Sequence, residues 1–393
     1  MEPPPTVYLD NAATTRVAPE VLEAMLPFHA YAFGNASSRH RLGFQARCAL
    51  EQSRACLAAA LGCRPAEVVF TSGGTEANNL ALFGGVAGVR CRQPHVVISA
   101  VEHPSVTRAA ERLERRGVGV TRVGVDAQCR VDPRAVMDAV GPDTVLVSVM
   151  LVNHEVGTIQ PVAEIARCLR GRPTLLHADA VQAFGKLPLT VSALGVDLLS
   201  VSAHKIHGPK GVGALFVRQG VCLGPRQVGG DQEHGLRAGT ENVAAIVGFA
   251  AAVKLVQQRG RDAMRRVADL RDGFEREVLR SIPGASVNGG WVPRVGHISN
   301  LNFAGVPSRW LVAQLDACGV LASTGAACSC ARPTPSPVLL AMGHTAATSL
   351  CAVRFSLSVE TTADQLTRGV DVLRRLTRGW RPHGSLRLPS VPL

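Results

Sequence analysis

Long hydrophobic runs are missing from this 393-residue chain. No stretch approaches the ~20 consecutive apolar residues that a membrane-spanning helix needs, so an integral membrane protein is not expected. The first residues, Met1-Glu2-Pro3-Pro4-Pro5, carry neither the basic nor the apolar segment of a secretory leader, and a cytoplasmic protein is expected. Charge is also sparse: 18% of residues are charged against 46% apolar, a composition that excludes a disordered chain and describes a globular one. None of the 11 cysteines forms a CxxC pair of zinc spacing, so no metal site is expected, and their odd number argues against a disulfide framework. Most read as small core residues.

What charge there is leans basic, with 42 Lys+Arg against 30 Asp+Glu and a formal net charge of +12, arginine being heavily favoured. The densest stretches hold Arg112, Arg115 and Arg116, and the tail from Arg374 to Arg387. They read as solvated helix faces or a docking surface for acidic partners. Without a focused patch, stable nucleic-acid binding is not expected.

Short β-branched runs alternate with helical stretches from Val68 to Val217, the pattern of an α/β sheet with parallel strands. The strands expected are 68–70, 95–100, 121–125, 144–150, 174–178, 197–201 and 213–217. Sheets of this kind carry their chemistry at the carboxyl ends of strands. Polar groups follow five of these: Thr71-Ser72-Gly73-Gly74-Thr75, Glu102-His103, Asn153-His154-Glu155, Asp179, and His204-Lys205. A long helical stretch follows Asn242, and residues from about 286 onward read as a separate α+β unit. Residues 381–393 have no helical or strand period and are expected to be mobile.

Lys205 ends an apolar strand, where desolvation favours its neutral amine, and a neutral amine can form a Schiff base with an aldehyde cofactor. Ser202 and His204 beside it suit an anionic group. The Gly73-Gly74-Thr75 turn into a helix suits a phosphate, because glycines let backbone N–H groups approach and the helix N-terminus favours negative charge. Asp179 past an apolar strand needs a cation, and a protonated pyridine nitrogen would serve. A helix N-cap is the plainer reading of that aspartate. Gln182, one turn on, is placed to meet the ring's phenolic oxygen. Pyridoxal phosphate (PLP) offers the aldehyde, the phosphate and the pyridine together. Cys328 and Cys330 lie in a run of small residues, Ser323-Thr324-Gly325-Ala326-Ala327-Cys328-Ser329-Cys330, which suggests exposed, reactive thiols.

Together with Leu9-Asp10-Asn11-Ala12-Ala13-Thr14-Thr15, Gly34-Asn35-Ala36-Ser37-Ser38, Val152-Asn153-His154-Glu155-Val156-Gly157, His204-Lys205-Ile206-His207-Gly208-Pro209-Lys210-Gly211, Arg237-Ala238-Gly239-Thr240-Glu241-Asn242 and Val353-Arg354-Phe355-Ser356-Leu357, these motifs resemble the PLP-dependent cysteine desulfurases and their selenocysteine lyase relatives. The resemblance runs from about residue 7 to 375. It implies a fold-type I PLP enzyme, normally a homodimer: a mainly parallel seven-stranded sheet with helices on both faces, plus a smaller α+β domain. Residues 16–260 would form the large domain, and 1–15 with 261–380 the small one.

By the same resemblance Lys205 is the Schiff-base lysine and proton carrier, and His103 stacks on the ring and relays protons. Asp179 would hold the pyridine nitrogen, Gln182 the phenolic oxygen, and Gly74, Thr75, Ser202 and His204 the phosphate. Thr240 would reach the neighbouring subunit's phosphate. Asn35, Asn153 and Arg354 would hold the substrate, Arg354 by a bidentate fork on its carboxylate. Cys328 becomes the nucleophile that takes sulfur from L-cysteine as a persulfide, leaving L-alanine, for delivery to an acceptor such as an iron–sulfur scaffold or a thiolation pathway.

The stretch from Cys328 to Ser336 has the length of the family's long catalytic loops. Four departures stand out: His154 in place of a second asparagine, Asp231 and His234 in place of glycine and arginine, the added thiol of Cys330, and the short tail. Selenocysteine lyase is the nearest alternative. An aminotransferase has no use for Cys328, and a non-catalytic PLP-fold scaffold is the remote reading.

Overall fold

The computed structural model describes residues 6–325 and 334–380. The expected nucleophile Cys328, its neighbour Cys330 and the tail expected to be mobile lie outside the described residues.

Seven strands form the central sheet: β1 Val68–Thr71, β2 His95–Ser99, β3 Gly119–Val123, β4 Thr144–Ser148, β5 Leu175–Asp179, β6 Leu198–Ser202 and β7 Gly213–Val217, in spatial order β1-β7-β6-β5-β4-β2-β3. Every residue of β1, β4, β6 and β7 is buried, as strands covered on both faces require, and this is why they read as continuous apolar runs. Neighbours from β6 through to β3 pair in parallel, whereas β7 is antiparallel to both β6 and β1. The sheet is thus mainly parallel, as expected, with β7 the one strand that runs against its neighbours. Only ten residues lie between Ser202 and Gly213, too few for a helical crossover, and the chain turns back instead.

One face of the sheet packs on helix Gly74–Ala87 and helix Pro104–Glu114, burying Leu80, Leu82, Val106 and Leu113. The other face gathers Leu57, Leu61, Ile246 and Phe249 from helix Arg41–Leu61 and the long helix Val243–Ser281. That long helix is interrupted at Gly260, where φ is 67° and ψ −174°. Beyond the interruption a second apolar core joins Val7 and Leu9 to Val267, Phe274, Leu301, Phe355 and Leu373. It lies against a three-stranded antiparallel sheet with Ile298–Phe303 between Ala352–Ser356 and Ala285–Val287. The first residues are tied into this unit by the parallel pair Val7–Tyr8 with Val320–Leu321. Among the described residues no helix is long and apolar enough to cross a membrane, and no group of His, Cys, Asp and Glu gathers as a metal site.

Candidate active site

Five strand ends supply the site. β1 leads through Gly73, held at φ 151°, into helix Gly74–Ala87. A side chain at Gly74 would meet Val181 Cγ2 at 2.6 Å and Ser202 Cβ at 3.8 Å, so only glycine lets the helix start this close to the ends of β5 and β6. Ser202, 1% exposed, directs a buried hydroxyl with no partner there. A buried orphan donor costs about 1–3 kcal/mol unless something accepts from it. Thr75 is exposed on the first turn. The Ser72 amide is taken by Glu76 Oε2 at 2.7 Å, and Glu76 in turn pairs with Arg237 at 3.1 Å.

Asp179 closes β5 and does two things. Its Oδ1 accepts from the Val181 amide at 2.9 Å, closing a turn where no helix follows, while Oδ2 accepts from Asn78 Nδ2 at 2.7 Å. Asn78 also donates to Ser105 Oγ at 2.8 Å, and Ser105 Oγ lies 2.8 Å from His103 Nδ1. The Ser105 amide donates to that same Nδ1 at 3.1 Å, so the nitrogen is an acceptor and the neutral ring carries its proton on Nε2. Burial pushes the His103 pKa down and nearby Lys205 adds to this, while Asp179 opposes it. An Asp179–Asn78–Ser105–His103 string thus joins two expected residues through two unforeseen ones. The available signal was Asn78-Asn79, a polar pair inside an otherwise apolar helix.

Lys205, in a single helical turn after β6, donates to the carbonyls of Ala12 and Ala13, both at 2.6 Å. Gln182 donates to Ala12 O as well, at 2.8 Å. His204 meets Thr14 Oγ1 at 3.2 Å; burial, then Lys205, Lys186 and Lys210, hold its pKa down to about 4. Glu102, under the site, accepts from Ser99 Oγ and from the Met150 amide, and burial pushes it up to about 8.

The expected substrate residues are placed differently. Arg354, 3% exposed, puts one fork nitrogen on Asp10 Oδ1 at 2.8 Å and the other on the His154 carbonyl at 2.9 Å, leaving Nε buried without a partner. Asn153, fully buried, spends its side-chain oxygen on the Glu155 and Val156 amides and its nitrogen on Val101 O, shaping the turn after β4. Asn35 is exposed and accepts from the Ser37 amide, and Thr240 is exposed.

His154, a departure from the resembled family's pattern, packs edge-on against His103 with ring centroids 5.3 Å apart. Burial first, then His103, Arg354 and Lys205, keep its pKa well below the usual histidine range. Glu155 beside it accepts from Ser336 Oγ at 2.6 Å, and a Cβ on Gly325 would come within 3.0 Å of the same oxygen. Chain on either side of residues 326–333 thus converges on one buried carboxyl. The segment with Asp231 and His234 is pinned by Glu233, which forms a buried two-pronged pair with Arg54 at 2.7 and 2.8 Å and also accepts from the Phe70 amide.

An orphan hydroxyl and a helix N-terminus at one end, a buried carboxylate at the other and an amine beside both make a donor set that fits PLP. Residues 7–368 match the family described as Aminotransferase class-V. The chain belongs to the PLP-dependent cysteine desulfurases of that family. A relative named cysteine desulfurase IscS, from Dictyoglomus turgidum, is 42% identical over 370 residues, 94% of each chain. A solved NifS-like protein superposes with a TM-score of 0.88 at 34% identity, covering 95% of this chain and 99% of that one. SspA, solved in complex with cysteine, gives 0.82 at 34% identity over 91% of this chain and 100% of its own. Fold type I and dependence on PLP follow for this desulfurase.

Proposed function

We propose that this desulfurase converts L-cysteine to L-alanine and takes the sulfur onto Cys328, with Lys205, Asp179 and His103 as the residues that work on the cofactor. The overall change balances: the substrate C–S bond breaks, a bond forms between the substrate sulfur and Cys328 Sγ, and alanine leaves with hydrogen in place of sulfur. The observation that carries this reading is the convergence of Lys205, Ser202 and Asp179 at adjacent strand ends. Relatives named cysteine desulfurase favour it over selenocysteine lyase.

When bound, PLP supplies the electron sink for bonds at the substrate Cα. Asp179 would keep the pyridine nitrogen protonated, Gln182 would donate to the phenolic oxygen, and Gly74, Thr75, Ser202 and His204 would receive the phosphate. Lys205 Nζ holds the proton moved at Cα. His103, with its Nε2–H, would cover the ring. Arg354 would exchange Asp10 for the substrate carboxylate, and Asn35 and Asn153 would border the substrate.

Separate apolar cores support the division into 16–260 and 1–15 with 261–380. Large apolar side chains left in solvent, Leu22 at 54%, Leu26 at 56%, Tyr31 at 81%, Phe33 at 66% and Phe44 at 58% exposed, support a second copy as partner, across which Thr240 would reach. We place the enzyme in the cytoplasm, handing sulfur to an iron–sulfur scaffold or a thiolation acceptor.

The chain has lysine only at 186, 205, 210 and 254, so peptide mapping after borohydride reduction is decisive: the label is expected on Lys205. Cys328→Ala is expected to bind PLP and respond spectrally to cysteine, yet release less than about 1% of wild-type alanine, as loss of a nucleophile dictates. Label on another lysine, or near-normal turnover without Cys328, overturns the assignment.

A further inference from the structure

Two basic residues, one half-buried and one buried, belong to no step above. Lys186 lies seven residues past Asp179, and its amine donates to Gln182 Oε1 at 3.3 Å. His297, 1% exposed just before strand Ile298–Phe303, brings Nε2 to the same oxygen, also at 3.3 Å. At the other end of that amide, Gln182 Nε2 donates to Ala12 O, the carbonyl that also accepts from Lys205 Nζ.

The two ends of a glutamine amide are nearly the same shape, and their hydrogen-bond partners decide which way it faces. The Ala12 carbonyl can only accept, so the N–H end of the amide faces it and the oxygen faces Lys186, whose amine donates to it. His297 then carries its proton on Nε2, leaving Nδ1 as the buried, unpartnered acceptor that the structure shows. The neutral forms of both still carry the donor this oxygen needs. Burial, with Lys205 and Arg354 nearby, holds Lys186 well below the ordinary lysine value. Burial, with Lys186, Arg354, Arg271 and Lys205 nearby, does the same to His297.

We infer that Lys186 and His297 are a positioning pair that locks the Gln182 amide with its two N–H groups turned toward Lys205 and the cofactor. One N–H goes to Ala12, and the second is kept for the phenolic oxygen, which would otherwise face a carbonyl. The inference rests on the assignment of Gln182 to that oxygen. It assigns a role to two groups on the far side of the amide, which touch neither substrate nor cofactor.

The test is a double-mutant cycle on the holoenzyme, read as the pH midpoint of the bound cofactor's visible absorption change rather than as turnover. Loss of the donor to the phenolic oxygen is expected to raise the midpoint by about 0.5–1 unit in Gln182→Leu, and by at least about half as much in Lys186→Met. If Lys186 acts through Gln182, the double variant shifts no further than Gln182→Leu alone. A wild-type midpoint in Lys186→Met, or a double variant whose shift equals the sum of the singles, overturns the inference, the second outcome meaning that Lys186 acts through space by its charge. No shift in Gln182→Leu removes the underlying Gln182 assignment as well. Should Lys186→Met not hold the cofactor, His297→Phe, which keeps the ring and removes the donor, enters the same cycle with the same outcomes.

Discussion

Ser202 is a hydroxyl that costs the protein stability by itself, being 1% exposed with no acceptor. If it exists to receive a phosphate, Ser202→Ala should split two measurements that usually move together. Cofactor affinity is expected to fall about tenfold, as for one lost hydrogen bond to a charged group, while the cofactor-free protein unfolds in urea at the same or a higher midpoint. A variant that loses stability without losing affinity would show the hydroxyl to be structural. The contrast with Asp179 is instructive. Both carboxylate oxygens of Asp179 already have donors, Val181 N and Asn78 Nδ2, so that residue is pre-aimed whether or not a cation is present.

At the scale of elements, the position of the phosphate cradle depends on how closely β7 approaches the turn after β1. A Cβ on Gly213 would lie 2.7 Å from the Cα and carbonyl carbon of Gly73 and 2.7 Å from Val201 O, all backbone atoms that cannot swing aside. Gly213→Ala is therefore expected to push the Gly73 turn off its place, costing about 1–3 kcal/mol of stability and at least tenfold in cofactor retention as measured by equilibrium dialysis. Gly124→Ala, where nothing lies within 4 Å, is the matched control and should change neither. Equal retention in the two variants would mean that β7 does not set the cradle. A comparable element-level junction is Glu155, which meets Ser336 and Gly325 from the two sides of the stretch that carries Cys328.

For the whole molecule, the exposed apolar side chains of helix Pro19–Ala30, the turn after it and the start of helix Arg41–Leu61 are the strongest statement about assembly. If the proposed dimer forms through this face, Leu26→Glu combined with Phe44→Glu should yield a monomer in sedimentation velocity, with an unchanged far-ultraviolet spectrum, because charges on a face that a second copy would bury cannot be paired there. A dimer that survives both substitutions would place the interface elsewhere. The two apolar cores meet where the long helix is interrupted at Gly260, and the first residues, through Leu9, join the second core rather than the first.

The sequence by itself determined most of the strands, since strands covered on both faces are largely apolar, although the outer strand β3, Gly119–Val123, is buried only at Val123 and carries Thr121 and Arg122. It also determined which residue stands at each strand end, because polarity there has to be explained by chemistry. Lys205, Asp179, Ser202 and His103 were legible for that reason. Tertiary structure alone decided how those ends face one another. The antiparallel course of β7, the Asn78–Ser105 link between Asp179 and His103, and the hold of Asp10 and the His154 carbonyl on Arg354 all join residues far apart in the chain or on different elements. The same is true of Lys186 and His297 on Gln182: a sequence records the hydrogen-bonding capacity of each side chain, but only the packing of one element on another fixes which donor reaches which acceptor.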